Sequence, residues 1–430
     1  VTASARDVCL LAEAGCEQRQ AIELAAVAAP RQTATARAIT LNLVTGGLGS
    51  AIFSLPWSVA GSSIIASCLI VGIVLCLNGW TISIVVRAAE RYNVFDLGGV
   101  ISHLPWGLGR PLQLITNAFV WAAMFLCLVS YVIVIHDSAE TFVKGTWMDS
   151  RCLLVGVASA CVLPLCFLSQ SLLEKTSSLA IAVNVYLFML VAVLYGEAAT
   201  NDHLPTGCCL LGSTLRGNFS MASVMFQAVI VQMCVLPMYQ ELQDRSPQKF
   251  DRIVTVAFST LFFIFCAFSV FGYLLIGPAV SSNILQDLPK GVGGSIAQVG
   301  TILVVACVYP IMVYPMIAPI LALGSHTILG MSRGMLVAMA KVSIVAAAMI
   351  TAAFVVKLGD VNVVNGAMSA GVFVALIPSA VGMLLLDVGF VQRLALSVLL
   401  VVGLGVSALG LVYKDNYVED LNCIVGVQVN

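Results

Sequence analysis

The sequence predicts an all-α integral membrane fold with eleven transmembrane helices, and three observations carry that expectation. Only 10% of the 430 residues are charged while 60% are hydrophobic, against roughly 25% charged in an ordinary soluble domain. Mean hydropathy is +1.03. Stretches free of Asp, Glu, Lys and Arg recur along the chain, most of them reaching the ~20 residues a helix needs to cross ~30 Å of hydrocarbon. So few charges cannot cover a soluble enzyme or keep a chain disordered. A formal net charge of −1 without a basic tract also excludes a nucleic-acid partner. The lipid bilayer is the first partner implied. The spans are too long and too uniformly apolar for the ~10-residue alternating strands of a membrane barrel.

Residues 1–37 hold Arg6, Asp7, Glu13, Glu17, Arg19 and Glu23, which reads as a polar cytoplasmic tail and not a signal peptide. Spans one and two share the charge-free run Ala38 to Val86, divided at the Pro56–Ser63 turn. Spans three to six follow as Pro111–Ile135, Cys152–Leu173, Thr176–Gly196 and Gly217–Gln240. Spans seven to eleven are Ile253–Gln286, Gly291–Ser332, Gly334–Val356 (broken by Lys341), Val361–Leu386 and Leu394–Tyr413. A transmembrane domain thus runs over 38–413, with 414–430 as a tail on the outer or luminal side. With the N-tail inside, thirteen Lys and Arg lie in inner segments against six in outer ones, the bias that cytoplasmic loops show. The sequon Asn218-Phe219-Ser220 falls in an outer loop under that orientation. Most of the fourteen Cys lie in apolar runs, where a thiol behaves as a small hydrophobe. The adjacent Cys208 and Cys209, in an outer loop, are candidates to bridge to Cys152.

Two spans deviate in parallel. Span one reads Thr45-Gly46-Gly47-Leu48-Gly49-Ser50 and then Leu55-Pro56; each Gly weakens a helix by ~1 kcal/mol relative to Ala. Span six carries Gln227 and Gln232 before Leu236-Pro237, whose proline removes a backbone donor. Unwound backbone survives in lipid only where it lines a cavity. Carriers built from two inverted five-helix repeats interrupt the first helix of each repeat at the substrate site. Free amide N–H groups there suit a carboxylate, and free carbonyls suit an ammonium. Helix packing at the glycines and a kink at Pro237 are the plain alternatives.

These residues also carry a family resemblance. Gly49-Ser50-Ala51-Ile52 with Leu55-Pro56 resembles the Gly-Ser-Gly-Ile…Leu-Pro segment of the amino acid/auxin permease family. The run Val235-Leu236-Pro237-Met238-Tyr239-Gln240-Glu241-Leu242, followed by Asp244-Arg245-Ser246-Pro247, resembles that family's sixth helix and inner loop. Gly272 to Gly277 with Asn283-Ile284-Leu285, and the pairs Tyr309-Pro310 and Tyr314-Pro315, resemble its seventh and eighth helices. The resemblance implies a LeuT-type 5+5 inverted repeat plus one extra helix, and transport of amino acids driven by sodium or protons. Where sodium-coupled neutral amino-acid members usually carry Asn in helix one, this chain has Thr45; near their helix-eight threonines it has Ala306 and Val308. A hard cation needs several oxygen ligands, so proton coupling or uniport is expected over sodium symport. Gln232 stands where a His is often found, which removes a group titrating near neutral pH.

The expected substrate-binding residues are Thr45, Gly46, Gly47, Gly49, Ser50, Gln227 and Gln232. Glu241, His136, Asp137 and Lys341 are candidates for gating or proton coupling, since ionisable groups in or beside a span are functional suspects. Glu241 would pair with Arg245 or Arg87 as an inner gate, while Lys341 either snorkels or serves as an internal counter-charge. Tyr131 reads as an interfacial aromatic. The four His lack metal-ligand spacing and no phosphate-binding loop is present, so no cofactor, metal or catalytic residue is expected. The reading is a secondary active transporter of small neutral amino acids in the plasma membrane or a vacuolar or endosomal one. A non-transporting amino-acid sensor on an internal membrane is the alternative.

Overall fold

Apolar runs of this length leave the backbone no hydrogen-bond partner but itself, and the computed structural model is accordingly helical almost throughout. It describes residues 34–147, 149–167, 177–322, 333–413 and 422–427. In chain order the helices are α1 (Ala36–Gly47), α2 (Leu55–Ser62), α3 (Ile64–Tyr92), α4 (Leu97–Ser102), α5 (Gly109–Val143), α6 (Arg151–Leu165) and α7 (Ser177–Thr200). Then come α8 (Leu215–Ala228), α9 (Gln232–Glu241), α10 (Pro247–Ile276), α11 (Val292–Ala322), α12 (Arg333–Phe354), α13 (Leu358–Ser369), α14 (Ile377–Leu385) and α15 (Phe390–Val412). Their starts follow from sequence. Thr35, Thr214 and Ser246 each accept from a backbone N–H three residues on, capping α1, α8 and α10.

Nine spans among the described residues are long and apolar enough to cross a bilayer, and α1 with α2 forms a tenth, bent by 44°. The remaining expected span, the fourth, Cys152–Leu173, is described only as the fifteen-residue α6 and the residues up to 167. The cytoplasmic tail up to residue 33 lies outside the described residues.

Two groups of helices result from the packing. The halves of span one lie on α10 and α8, and α3 lies on α10. Separately, α5 gathers α6, α11 and α12 around it. α13 touches both groups, meeting α8 on one side and α5 on the other. The α8–α13 crossing is close: a Cβ on Gly366 would collide with the Ser223 carbonyl oxygen. Only a glycine lets the two backbones meet there.

On the face expected to be outer, β1 (Cys209–Ser213) pairs antiparallel with β2 (Asn422–Gly426), and a disulfide joins Cys209 to Cys423. This corrects the expected bridge to Cys152. The strand pairing brings the Cys209 and Cys423 Cα atoms to 5.7 Å, while Cys152 sits exposed and free on the first turn of α6. Cys208 is buried, and burial pushes its thiol above the ordinary range, which makes it a poor partner for exchange. Asn218 of the sequon lies inside α8, not in a loop, and its Oδ1 accepts from the Ser62 hydroxyl at 2.6 Å.

Candidate functional site

Both suspect spans are interrupted mid-chain. Span one stops at Gly47 and resumes as a 3₁₀ turn, Ser50–Ser54, that leads into α2 with Pro56 in its first turn. In span six, α8 ends at Ala228 and α9 begins at Gln232. Each break opposes the C-terminal end of one half-helix to the N-terminal start of the next. The last carbonyls of α1 and α8 and the first amides of α9 and the 3₁₀ turn lack partners within their helices. Carbonyls favour a cation and amides an anion, so one break offers complementary partial charges to a zwitterion. Val231, in the second break, is the nearest neighbour of a Cβ built on Gly46, at 3.7 Å, which brings the two interruptions face to face.

The seven expected binding residues divide by what surrounds them. Gly46 faces the other break in van der Waals reach of Val231, whereas a Cβ on Gly49 would meet nothing within 4 Å, so Gly49 borders open space. Gly47 packs: its Cβ would fall 2.7 Å from Leu261 on α10. The Thr45 hydroxyl donates back to Leu41 C=O at 2.8 Å, a bond within its own helix. Ser50 is buried at the first residue of the 3₁₀ turn. Gln232 Nε2 donates to Asn78 Oδ1 on α3, and Gln227 Nε2 donates to Cys127 Sγ on α5 at 3.3 Å. The donors of both glutamines are thus satisfied by neighbouring helices. Their acceptors are not: Gln227 Oε1 and Gln232 Oε1 are buried without a partner among the described residues, as are Ser220 Oγ and Ser223 Oγ on α8. Each such atom costs about 1–3 kcal/mol if left unmet. The two glutamine oxygens lie on residues that flank the break in span six, Gln227 before it and Gln232 after it.

The expected third span ends at Ile135, but α5 runs on to Val143, so His136 and Asp137 lie inside the helix and are buried, 4% and 2% exposed. His136 Nδ1 and Asp137 Oδ1 are 3.0 Å apart, and Asp137 Oδ2 accepts from Asn283 Nδ2 at 2.9 Å. Asn283 comes from the outer connection between α10 and α11, so the pair ties that connection to α5. Glu140, one turn on, brings its carboxylate within 4.8 Å of both groups.

Glu241 does not meet its expected partners. Arg245 pairs with Glu90 at 3.4 Å and Arg87 with Asp251 at 3.3 Å, while the Glu241 backbone C=O accepts from Ala34 N–H. Glu241 is exposed, at the end of α9, whereas Glu90 lies on α3 where Tyr239 also reaches it at 2.9 Å. Lys341 is no counter-charge in the site. Its Nζ donates to Cys166 C=O at the end of α6, at 2.7 Å. Tyr131 is buried, 7% exposed, and not interfacial.

Sequence reasoning missed Asn78, Ser130, Asn362, Asn365 and Asn283. Asn362 links three elements: its Nδ2 donates to Ser54 Oγ at 3.0 Å and its Oδ1 accepts from Ser130 on α5 at 3.1 Å. The available signal was a carboxamide inside a charge-free run, as at Asn78; the partners could not be read from it.

Comparison with known proteins agrees with this geometry. The chain is 23% identical over 295 residues to amino acid transporter AVT6E of Arabidopsis thaliana, covering 63% of this chain and 60% of that one. It is 22% identical over 373 residues to sodium-coupled neutral amino acid symporter 2 of Danio rerio, covering 79% and 73%. Among solved structures, MhsT in complex with L-phenylalanine matches with a TM-score of 0.51 at 14% identity, over 90% of this chain and all of that one. That likeness shows the LeuT-type fold. The model of the transmembrane amino acid transporter protein family matches residues 32–413, both interruptions within it, and the chain belongs to that family.

Proposed function

We propose that the chain is a secondary active carrier of small neutral amino acids, working by alternating access, with protons or no ion as the coupling partner. The observation that carries this reading is the paired interruption of spans one and six, facing each other across Gly46 and Val231. The carboxylate of a substrate would meet amides at the start of a half-helix, and its ammonium the carbonyls at the end of the other. The helices α1, α2, α3, α8, α9 and α10 would rock against α5, α6, α11 and α12, as the two packing groups suggest. The Danio rerio relative is named as sodium-coupled. Against sodium here stands the scarcity of oxygen ligands: Thr45 on α1, and Ala306 and Val308 on α11 where oxygens would be needed. The buried His136–Asp137 pair is the titratable group through which a proton would act.

Proteoliposome uptake of a panel of amino acids, with proton and sodium gradients imposed separately, tests the reading. Uptake of neutral amino acids under a proton gradient, or with no gradient, is expected. Uptake that only a sodium gradient drives overturns the coupling, and binding without net flux favours a sensor.

A further inference from the structure

Two carboxamides meet at one thiol behind the break in span six. Asn365 Nδ2 on α13 donates to Ala123 C=O at 3.1 Å and to Cys127 Sγ at 3.5 Å. Gln227 Nε2, next to the last residue of α8, donates to the same sulfur at 3.3 Å. The bond to Ala123 fixes which end of Asn365 is nitrogen, so its other end is an acceptor with two lone pairs. Gln227 Oε1 and Asn365 Oδ1 are both buried and accept nothing from the described residues. The three side chains come from α8, α5 and α13, and α13 touches both packing groups. All their hydrogen bonds run between neutral groups.

We propose that Gln227, Asn365 and Cys127 form the subsite that reads the substrate's side chain. The subsite selects neutral side chains that donate a hydrogen bond, hydroxyl or carboxamide, over aliphatic ones of the same shape. The proposal rests on the carrier reading above and adds to it the residues that discriminate. Discrimination arises by gain: a donor side chain supplies the hydrogen bond that two already buried oxygens lack, and an aliphatic isostere does not. A cationic side chain would find dipoles but no counter-charge, and an anionic one would meet two acceptors.

The test is ligand-induced thermal stabilisation of the full chain in detergent, using isosteric pairs of free amino acids: threonine with valine, and asparagine with leucine. The donor member of each pair is expected to bind at least about ten-fold more tightly. Asn365→Leu, which keeps the shape and removes the acceptor, should shrink that preference to about two-fold or less. Gln227→Met gives a second route should Asn365→Leu fail to fold. Equal binding within both pairs in the unaltered chain overturns the subsite and leaves the carrier reading standing. A preference that survives both substitutions overturns the assignment of these residues. No stabilisation by any amino acid, together with no uptake in proteoliposomes, overturns the subsite and the carrier reading together.

Discussion

At Lys341 and Arg151, two cations inside or beside the membrane answer to helix ends. Lys341 Nζ donates to Cys166 C=O in the last turn of α6, at 2.7 Å. Arg151, the first residue of α6, donates to Ala352 C=O at 2.8 and 3.2 Å and to Val355 C=O at 2.8 Å, at the end of α12. Each helix thus supplies the charge that the other's C-terminal carbonyls attract, and the pair is clipped at both ends. Lys341→Met should lower the stability of the folded chain by about 1.5–3 kcal/mol, read as a fall in melting temperature in detergent, with KM unchanged. An unchanged melting temperature with altered ion coupling would instead restore the counter-charge role. Asp287 offers a second residue-scale test. It accepts from Ser281 N–H and Ser281 O–H, both at 2.7 Å, but burial is the larger influence and raises its carboxyl above the ordinary 3.8. A raised native value means the folded chain holds the proton more tightly than the unfolded one. Stability contributed by Asp287 is therefore present at low pH and lost as pH climbs from 3.8 through the native value. Asp287→Asn should flatten that part of the melting-temperature profile against pH; a profile with unchanged slope refutes the assignment.

The elements themselves were largely legible, because helix-breaking is a local property of the chain. Three glycines in four residues and a Leu-Pro after each break are readable without any contact, and both interruptions fall where those signals lie. What a side chain in the break then touches is a tertiary fact. Sequence treated Gly46, Gly47 and Gly49 alike, yet Gly47 packs on Leu261 while Gly49 borders open space. Likewise it chose Glu241 for the inner gate because the residue follows the broken helix, whereas Tyr239 and Arg245 converge on Glu90 from 149 and 155 positions away. The disulfide was missed for a related reason, since the pairing of β1 with β2 joins residues 214 positions apart. The division among the glycines is testable. Gly49→Trp should reduce amino-acid uptake at least about ten-fold with surface expression intact, because it fills space without displacing packed atoms. Gly47→Trp should instead lower expression, since about the volume of a leucine must move. Normal uptake in the Gly49 variant would count against a substrate path through the break.

For the whole molecule, the proposed alternating access would act through contacts at the two ends. At the inner end, Ala34 pairs with the chain just after α9: its N–H donates to Glu241 C=O and its C=O accepts from Gln243 N–H, both at 3.0 Å. Beside it Arg245 reaches Glu90 at 3.4 Å and stacks over Phe95 at 4.1 Å, and Tyr239 donates to Glu90 at 2.9 Å. At the outer end, Asn283 is held by Asp137, and the neighbouring Ser282 C=O accepts from Ser54 Oγ at 2.8 Å. Both ends thus carry contacts that tie the span-one region to its surroundings, and under the proposed carrier reading these would serve as gates. Net transport requires that one set release while the other holds, so weakening one set biases the equilibrium toward opening at that end. Glu90→Gln keeps a hydrogen-bond acceptor for Tyr239 and removes the ion pair with Arg245, a partly exposed contact worth about 1 kcal/mol or less. Such a loss shifts the open population by up to about five-fold. Hydrogen exchange of the α1 amides, residues 36–47, should quicken by that factor in Glu90→Gln, while amides of the Ser281–Asp287 connection keep their rates. Asp137→Asn should do the reverse, quickening the outer connection and sparing α1. Equal acceleration at both ends in either variant would mean the two sets of contacts do not act as separate gates, and alternating access through the two breaks would lose its structural basis.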